Sequence, residues 1–242
     1  MKVSNPFAAS GTGGAHRRLL SCRACPRLVA WRERQARLVP PRFRESVAEH
    51  GFWGRPVPAF GDRDAWLAIV GLAPAAQGAN RTGRMFTGDR SGDFLFAALH
   101  RAGLASSPYS AHRGDGLTLS GALITALVRC APPHNRPTTA EAARCRAYLR
   151  ADLAGCRSLK VVLALGRLAH DGVVRLLREQ GGVLQDGIPF DHGSFWRLPG
   201  GVFLVDSYHV SQQNTFTGRL TASMLDGVLA RCRALAVSEE RR

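Results

Sequence analysis

The feature that most constrains this chain is an alternation of apolar runs and helical segments that begins near residue 65. Four runs, AWLAIVGL, GALITALVRC, KVVLALG and GVFLVDSYH, are continuous and short enough for buried strands. A segment with helical spacing follows each run, and the second of these, residues 138–156, opens with the capping-box residues Thr138 and Glu141. This order predicts an α/β fold with a parallel sheet and helices on both of its faces.

Ligands in such folds bind outside the carboxyl ends of the strands. That rule selects four loops, over residues 72–90, 130–137, 166–168 and 209–216. Three of the four loops have an unusual composition, so we expect the functional residues to lie in them.

The N-terminal quarter of the chain has a different character. Residues 1–15 are rich in Gly, Ser and Ala and are expected to form a disordered tail, followed by a single domain over residues 16–242. Residues 16–37 predict a cysteine turn and a basic helix, whereas residues 38–62, rich in Pro and aromatic residues, predict a packed irregular connection. The arginine-rich stretch 37–50 suggests no role. Neither a signal core nor a membrane-length apolar stretch is found, so we expect a cytoplasmic protein without a membrane partner. We also expect the protein to be a monomer.

The charge of the chain points to a polyanionic partner. The formal net charge is +15, with 33 Lys and Arg residues against 18 Asp and Glu residues. An excess of this size favours nucleic acid first and an anionic membrane second. The alternative is a basic protein whose charge serves only solubility.

The first loop, GLAPAAQGANRTGRMFTGDRSG, combines bare backbone with one carboxylate. Its glycines permit close approach to a ligand. Asn80 and Arg81 are suited to a phosphate or a base edge, and Phe86 to stacking on a flat ring. Asp89 precedes a predicted helix, whose N-terminus is expected to lower the pKa of this carboxyl. Alone, Asp89 is better explained as a helix cap. The loop lacks the G-K-[ST] ending of a Walker loop and the G-x-G-x-x-G fingerprint.

Two further loops contain polar residues suited to recognising a base. Asn135 is held between prolines in RCAPPHNRPT, where a rigid amide offers one donor and one acceptor to a base edge. The alternative for Asn135 is an ordinary turn residue. His209 ends the fourth predicted strand and therefore points towards the same edge of the sheet, although a buried structural histidine is the simpler explanation for it alone.

Four of the six cysteines form a potential metal-binding set. Cys22 and Cys25 form a CxxC pair, Cys130 follows the second strand, and Cys145 lies in the next helix. Four thiolates from two regions suit either zinc or an iron–sulfur cluster, and their spacing does not decide between them. Cys156 and Cys232 fall in helical segments and are expected to be core thiols.

Together these segments resemble a known family. GLAPAAQGANRTGRMFTGD, VRCAPPHNRPT and YHVSQQNTFTGRLT, in this order, are similar to the three motifs of the family 5 (type B) uracil-DNA glycosylases, and CRACPRLVAWRE is similar to that family's first cysteine segment. The resemblance extends over residues 20–235. It implies a three-layer α/β/α sandwich around a four-stranded parallel sheet, and a mainly structural 4Fe-4S cluster held by Cys22, Cys25, Cys130 and Cys145.

The resemblance also implies roles for individual residues. Asp89 matches the catalytic carboxylate and His209 the histidine beside the leaving base, with Phe86 as the stacking platform and Asn135 as the base reader. The remaining expected substrate contacts are Gly71, Ala73, Asn80 and Asn214, and the expected contacts to the DNA backbone are Arg81, Arg84 and Arg219. Residues 72–76 contain no polar residue, as in type B enzymes, and Gln77 stands where many relatives have histidine.

The implied function is excision of uracil and other deaminated bases, such as hypoxanthine, from DNA in base excision repair. Neither lysine of the chain lies in the four loops, so we expect a glycosylase without abasic-lyase activity. The alternatives are a non-catalytic protein that holds a base with the same fold, and a relative that traps DNA covalently.

Overall fold

The four predicted strands form the centre of one mixed sheet. The computed structural model describes residues 5–7, 15–182 and 187–238. The strands are β1 (Phe60–Gly61), β2 (Leu67–Gly71), β3 (Ala122–Ala126), β4 (Val161–Leu165), β5 (Phe195–Arg197) and β6 (Phe203–Ser207). Their order across the sheet is β1-β3-β2-β4-β6-β5.

The central strands β3, β2, β4 and β6 are mutually parallel, which confirms the predicted core of the sheet. Every residue of these four strands is buried, as expected for a sheet covered on both faces. The sheet also has two short antiparallel edge strands, β1 and β5, which the sequence did not predict.

Helices cover both faces of this sheet. They are α1 (Ala15–Leu20), α2 (Pro26–Gln35), α3 (Arg44–His50), α4 (Ala79–Thr82), α5 (Arg90–Arg101), α6 (Thr139–Gly155), α7 (Arg167–Glu179), α8 (Gln212–Phe216) and α9 (Ala222–Ser238). The Thr138–Glu141 capping box of α6 is present, as predicted. In contrast, α3 lies within the segment expected to be irregular, so that prediction is wrong for residues 44–50.

Successive residues of the central strands pack into two separate cores, one on each side of the sheet. Leu67 and Ile69 point to the side that also holds Leu225 of α9, whereas Ala68 and Val70 point to the side with α6 and α7. This alternation produces the expected α/β/α layers. No helix in the described ranges is both long and apolar enough to span a bilayer.

The chain start is partly ordered, contrary to the prediction of a disordered tail. Phe7 is fully buried in the core that contains α6 and α7. The Asn5 Nδ2 group donates hydrogen bonds to the carbonyl oxygens of Leu153 (2.8 Å) and Cys156 (3.2 Å) at the end of α6. These contacts satisfy carbonyl groups that a helix end leaves free. Residues 1–4 and 8–14, for which disorder was also predicted, lie outside the described residues.

Candidate active site and cysteine cluster

A cavity of about 410 Å³ lies at the carboxyl ends of the central strands, where the sequence located the functional loops. Loops that follow β2, β3, β4 and β6 all contribute to its wall. Six of the predicted site residues line it: Gly71, Ala73, Phe86, Asp89, Asn135 and His209. The central expectation of convergent strand-end residues is therefore met by the geometry.

Asp89 caps α5 and lines the cavity at the same time. Its Oδ1 accepts a hydrogen bond of 3.0 Å from the Gly92 N–H, as an N-cap does. Its Oδ2 lies against Gly78, at a position where a side chain on residue 78 would collide with the carboxylate. The cap therefore fixes one carboxylate oxygen, and a glycine makes room for the other.

The electrostatic prediction for Asp89 was wrong in sign. Burial raises the pKa of this carboxyl above its ordinary value and outweighs the hydrogen bonds from Gly92 and Ser91, which lower it. Asp93 raises the pKa of Asp89 further, whereas Arg81 lowers it. A carboxylate in this setting is more basic than a solvated one and so is a better proton acceptor.

Phe86 lies across the end of β2. An ideal Cβ on Gly71 would stand 2.9 Å from the Cζ of Phe86, so any side chain at residue 71 would displace the ring. Phe86 also adopts a positive φ of 51°, a conformation that non-glycine residues rarely take. A strained backbone and a bare strand end thus hold this ring against the cavity wall.

His209 faces Phe86 from the end of β6. The two ring centroids are 6.3 Å apart and the rings are tilted by 38°. Burial lowers the pKa of His209, which favours the neutral imidazole. Asn214 does not line the cavity with it; its Nδ2 donates to the His209 carbonyl oxygen at 2.8 Å. Asn214 therefore holds the histidine backbone, and its prediction as a substrate contact is not supported.

Asn135 stands at the exposed rim of the cavity, on the loop that follows β3. Both His134 and Asn135 have positive φ angles, of 54° and 56°. The Asn135 N–H donates to the Pro132 carbonyl oxygen at 3.2 Å, which closes the turn. No intramolecular hydrogen bond engages the Asn135 side-chain amide among the described residues, so the amide is free to pair with a ligand.

Asn80, Arg81 and Arg84 are structural residues, contrary to their predicted contacts with substrate and DNA. Asn80 is fully buried, and its Nδ2 donates to the Arg32 carbonyl oxygen at 3.2 Å. Arg84 is also buried, and its Nη1 donates to Asp115 Oδ1 at 2.7 Å. Groups that are buried and engaged in this way are not available to a phosphate.

Arg81 explains the role of the stretch 37–50. Its guanidinium lies 4.1 Å from the centroid of the Phe43 ring and donates to Ser46 Oγ at 3.2 Å. It also donates to the Gly88 carbonyl oxygen at 3.0 Å, next to Asp89. Residues 37–50 thus pack against the first loop through a buried arginine.

Arg219, the third predicted backbone contact, is exposed and lies 4.6 Å from the centroid of the Tyr208 ring. Its position is compatible with the prediction. The sequence missed Ser91, Arg167, Leu168 and Ser211, which also line the cavity. The strand-end rule did select the loop 166–168, but its composition gave no reason to name a residue in it.

The four predicted cysteine ligands converge on another, small cavity, called the cysteine cavity below. Cys22, Cys25, Cys130 and Cys145 all line it. No group of three or more Cys, His, Asp or Glu side chains within the described ranges is arranged to hold a metal ion. Cys156 and Cys232 are buried, as predicted for core thiols.

Two buried arginines contact this cysteine group. Arg32 Nη1 donates to Cys130 Sγ at 2.8 Å, and the Arg129 N–H donates to Cys145 Sγ at 3.3 Å. Arg129 is fully buried and forms an ion pair with Asp152. Burial raises the pKa of the Cys130 thiol and raises that of Cys145 to about 12, whereas the positive charges of Arg32 and Arg129 oppose these rises.

Comparison with known proteins agrees with this architecture. Residues 58–232 match the family model of the uracil DNA glycosylase superfamily. Since the match includes all of the central strands, the chain belongs to this superfamily.

Its relatives identify the branch. The chain is 51% identical over 217 residues to the type-5 uracil-DNA glycosylase of Mycobacterium leprae, covering 89% of this chain and 91% of the relative. It is 49% identical over 218 residues to the type-5 enzyme of Thermus thermophilus, covering 90% and 95%. For the type-5 enzyme of Mycobacterium tuberculosis the identity is 50% over 216 residues, covering 89% and 78%. Within the superfamily, the chain belongs to the type-5 family.

Proposed function

We propose that this protein is a glycosylase that removes uracil from DNA by hydrolysing the N-glycosidic bond, without abasic-lyase activity. The observation that carries this proposal is the placement of Asp89, His209, Phe86 and Asn135 around one cavity of about 410 Å³. Membership in the type-5 family and relatives named as uracil-DNA glycosylases support the same conclusion.

A base must leave the duplex to reach this cavity. Extrusion costs a few kcal/mol, and least at a mismatch such as U·G. Phe86 offers its ring to the face of the extruded base, and Asn135 offers its free amide to the base edge. These contacts recover part of the extrusion cost and fix the base in position.

Hydrolysis then needs one group that stabilises positive charge on the sugar and another that stabilises negative charge on the departing base. As the bond between the sugar C1′ and the base nitrogen breaks, the electron pair leaves with the base and positive charge develops on the sugar. Asp89 stabilises that positive charge and accepts a proton from the water whose oxygen attacks C1′. The raised pKa of Asp89 suits proton acceptance, and His209, as a neutral imidazole, donates an N–H to a carbonyl oxygen of the departing base.

The cysteine cavity is proposed to hold a 4Fe-4S cluster through Cys22, Cys25, Cys130 and Cys145. The chemistry of the donor set suits the cluster, because four thiols line one cavity and the cations Arg32 and Arg129 lie beside Cys130 and Cys145, although within the described ranges the thiols are not gathered into a metal-binding arrangement. When bound, the cluster supplies cross-links among the CxxC turn, the end of β3 and helix α6. Its role is then structural. Zinc is the second candidate, and the visible absorption of purified protein distinguishes the two.

A single-turnover assay on duplex DNA with one U·G pair tests the function. We expect release of free uracil and an abasic product that is cleaved only after alkali. No release of uracil would contradict the proposal, and a band shifted on a denaturing gel would instead indicate covalent trapping.

Three finer predictions go beyond the excision of uracil. We propose that hypoxanthine and other deaminated bases are also substrates, that the protein acts as a monomer, and that it works in the cytoplasm. Excision across a panel of modified bases opposite each normal base tests the first of these. Light scattering in solution tests the second.

A further inference from the structure

A second cavity adjoins the catalytic one and differs from it in charge. Its volume is about 460 Å³, and it lies between the start of α6 and the outer face of α7. Leu72 and Leu168 line both cavities, so the two share a wall. Asn135 stands in the catalytic cavity and its neighbour Arg136 in the second one. A chain-like ligand that leaves the first cavity across these residues enters the second.

The second cavity is basic. Arg136, Arg146 and Arg175 line it, against a single lining carboxylate, Asp171. Arg146 is ion-paired with Glu179 from outside the cavity, whereas neither Arg136 nor Arg175 is in an ion pair with another described residue. Arg175 also lies close enough to Arg146 to lower its pKa by repulsion, after the larger effect of burial. Like charges held together in a concave site favour an anionic ligand.

The base of this site is rigid. Arg27 Nε donates to Glu141 Oε1 at 2.9 Å, and its Nη2 donates to the Arg136 carbonyl oxygen at 3.1 Å. The Arg136 N–H donates to the Pro133 carbonyl oxygen at 3.0 Å. The backbone of Arg136 is therefore fixed on both sides while its side chain stays exposed. An anion can therefore bind this guanidinium without the entropic cost of ordering a loop.

From this arrangement we infer that the second cavity binds the phosphodiester groups that flank the extruded nucleotide on one side. The inference rests on the proposed function, because a DNA strand with an extruded base carries a phosphodiester on each side of that nucleotide. Arginine binds phosphate oxygens through paired N–H groups, and such contacts fix register without reading sequence. Arg136 and Arg175 are thus assigned as positioning residues for the strand.

Affinity for a non-cleavable DNA tests the assignment. The probe is a duplex carrying a tetrahydrofuran abasic analogue, titrated at several salt concentrations. The variant is Arg136→Ala with Arg175→Ala. The control is Arg150→Ala with Arg178→Ala, which removes equal charge from exposed positions of α6 and α7 outside the cavity. Each lost phosphate contact should reduce the slope of log affinity against log salt by about 1. We expect a reduction of about 2 for the variant and a clearly smaller one for the control.

A phosphate scan gives an independent reading. The probes are uracil-containing strands that each have one neutral methylphosphonate, placed at a different flanking position in each strand. Wild type should bind more weakly only when the methylphosphonate is at one or two positions on one side of the uracil. The variant should be insensitive to those positions. Equal slopes for variant and control, or a scan that the variant leaves unchanged, would overturn the inference. The inference would also be overturned if the only change in the variant were its inhibition by free inorganic phosphate.

Failure of this inference is distinguishable from failure of the proposed function. The binding probe has no base at the abasic position, so the measured affinity does not depend on catalysis. Uracil release by wild type with equal slopes for variant and control refutes the phosphate site alone. A reduced slope for the variant, without uracil release by wild type, refutes the glycosylase function and leaves the phosphate site standing.

Discussion

Replacing Asp89 by asparagine and by alanine should separate its role as a helix cap from its role in the cavity. The Asn side chain retains an oxygen that can accept the 3.0 Å hydrogen bond from the Gly92 N–H, whereas Ala retains nothing. Asn and Asp are equivalent caps, and replacing either by Ala costs about 1 kcal/mol. Both variants remove the buried charge, so their difference in stability isolates the cap.

We therefore expect Asp89→Asn to be more stable than Asp89→Ala by about 1 kcal/mol, or about 2–4 °C in melting temperature for a chain of this size. Both variants should lose excision by about 10²- to 10⁴-fold in single turnover, since neither has a proton acceptor. DNA binding should be retained. The comparison variant is Asp93→Asn, on the exposed side of the same helical turn, which should keep most of the excision rate while lowering the pKa of Asp89, because the Asp93 charge raises that pKa.

Comparison with wild type adds a pH signature. Because the folded-state pKa of Asp89 is raised, the ionised carboxylate destabilises the folded protein, and this penalty develops as the pH rises from the unfolded-state pKa through the folded-state value. Asp89→Asn should therefore gain stability over wild type at neutral pH and lose that gain at acid pH. Near-normal excision by Asp89→Asn would refute the catalytic role, and equal stability of the Asn and Ala variants would refute the capping role.

Three other predictions follow from the same cavity. Gly71→Ala should push the Phe86 ring away, destabilise the fold by about 1–3 kcal/mol and weaken substrate binding; unchanged melting temperature and KM would contradict the close packing. Asn135→Asp should change the relative excision rates of uracil and hypoxanthine, because it replaces an amide donor with an acceptor, and unchanged relative rates would exclude base reading. The acid limb of the kcat/KM profile should lie above the ordinary Asp pKa of about 3.9, reflecting Asp89. Retention of this limb in His209→Gln is expected, since burial lowers the pKa of that imidazole and disfavours its charged form; loss of the limb would assign it to the histidine.

The central strands were predictable because their physics is local to each segment. A buried strand needs mainly apolar character and a limited length, and β2, β3, β4 and β6 all lie within the predicted runs. The edge strands were not predictable from the same signal. β1 has two residues and β5 has three, and neither is buried on both faces. Such short segments depend on pairing with a neighbour that the local sequence does not reveal.

The arginines of the first loop show what the local sequence cannot predict. Arg81 and Arg84 stand in a polar, glycine-rich loop, where a solvent-exposed cation is the ordinary expectation. The partner of Arg84 is Asp115, 31 residues further along the chain, and the ring beside Arg81 belongs to Phe43. Sequence shows the charge of a side chain but not its distant partner. The arginines proposed to contact the DNA backbone, Arg136 and Arg175, are therefore assigned from geometry.

Asp89 was named as a site residue from the sequence, but the direction of its pKa shift was predicted wrongly. Its cap hydrogen bond follows from its position before α5 and lowers the pKa. Its burial results from loops that follow four different strands, together with the absence of a side chain at Gly78, and it raises the pKa more. The glycines of the first loop thus do more than permit turns. They allow a carboxylate to be enclosed while still anchored, which raises its basicity for the proposed role of accepting a proton from the attacking water.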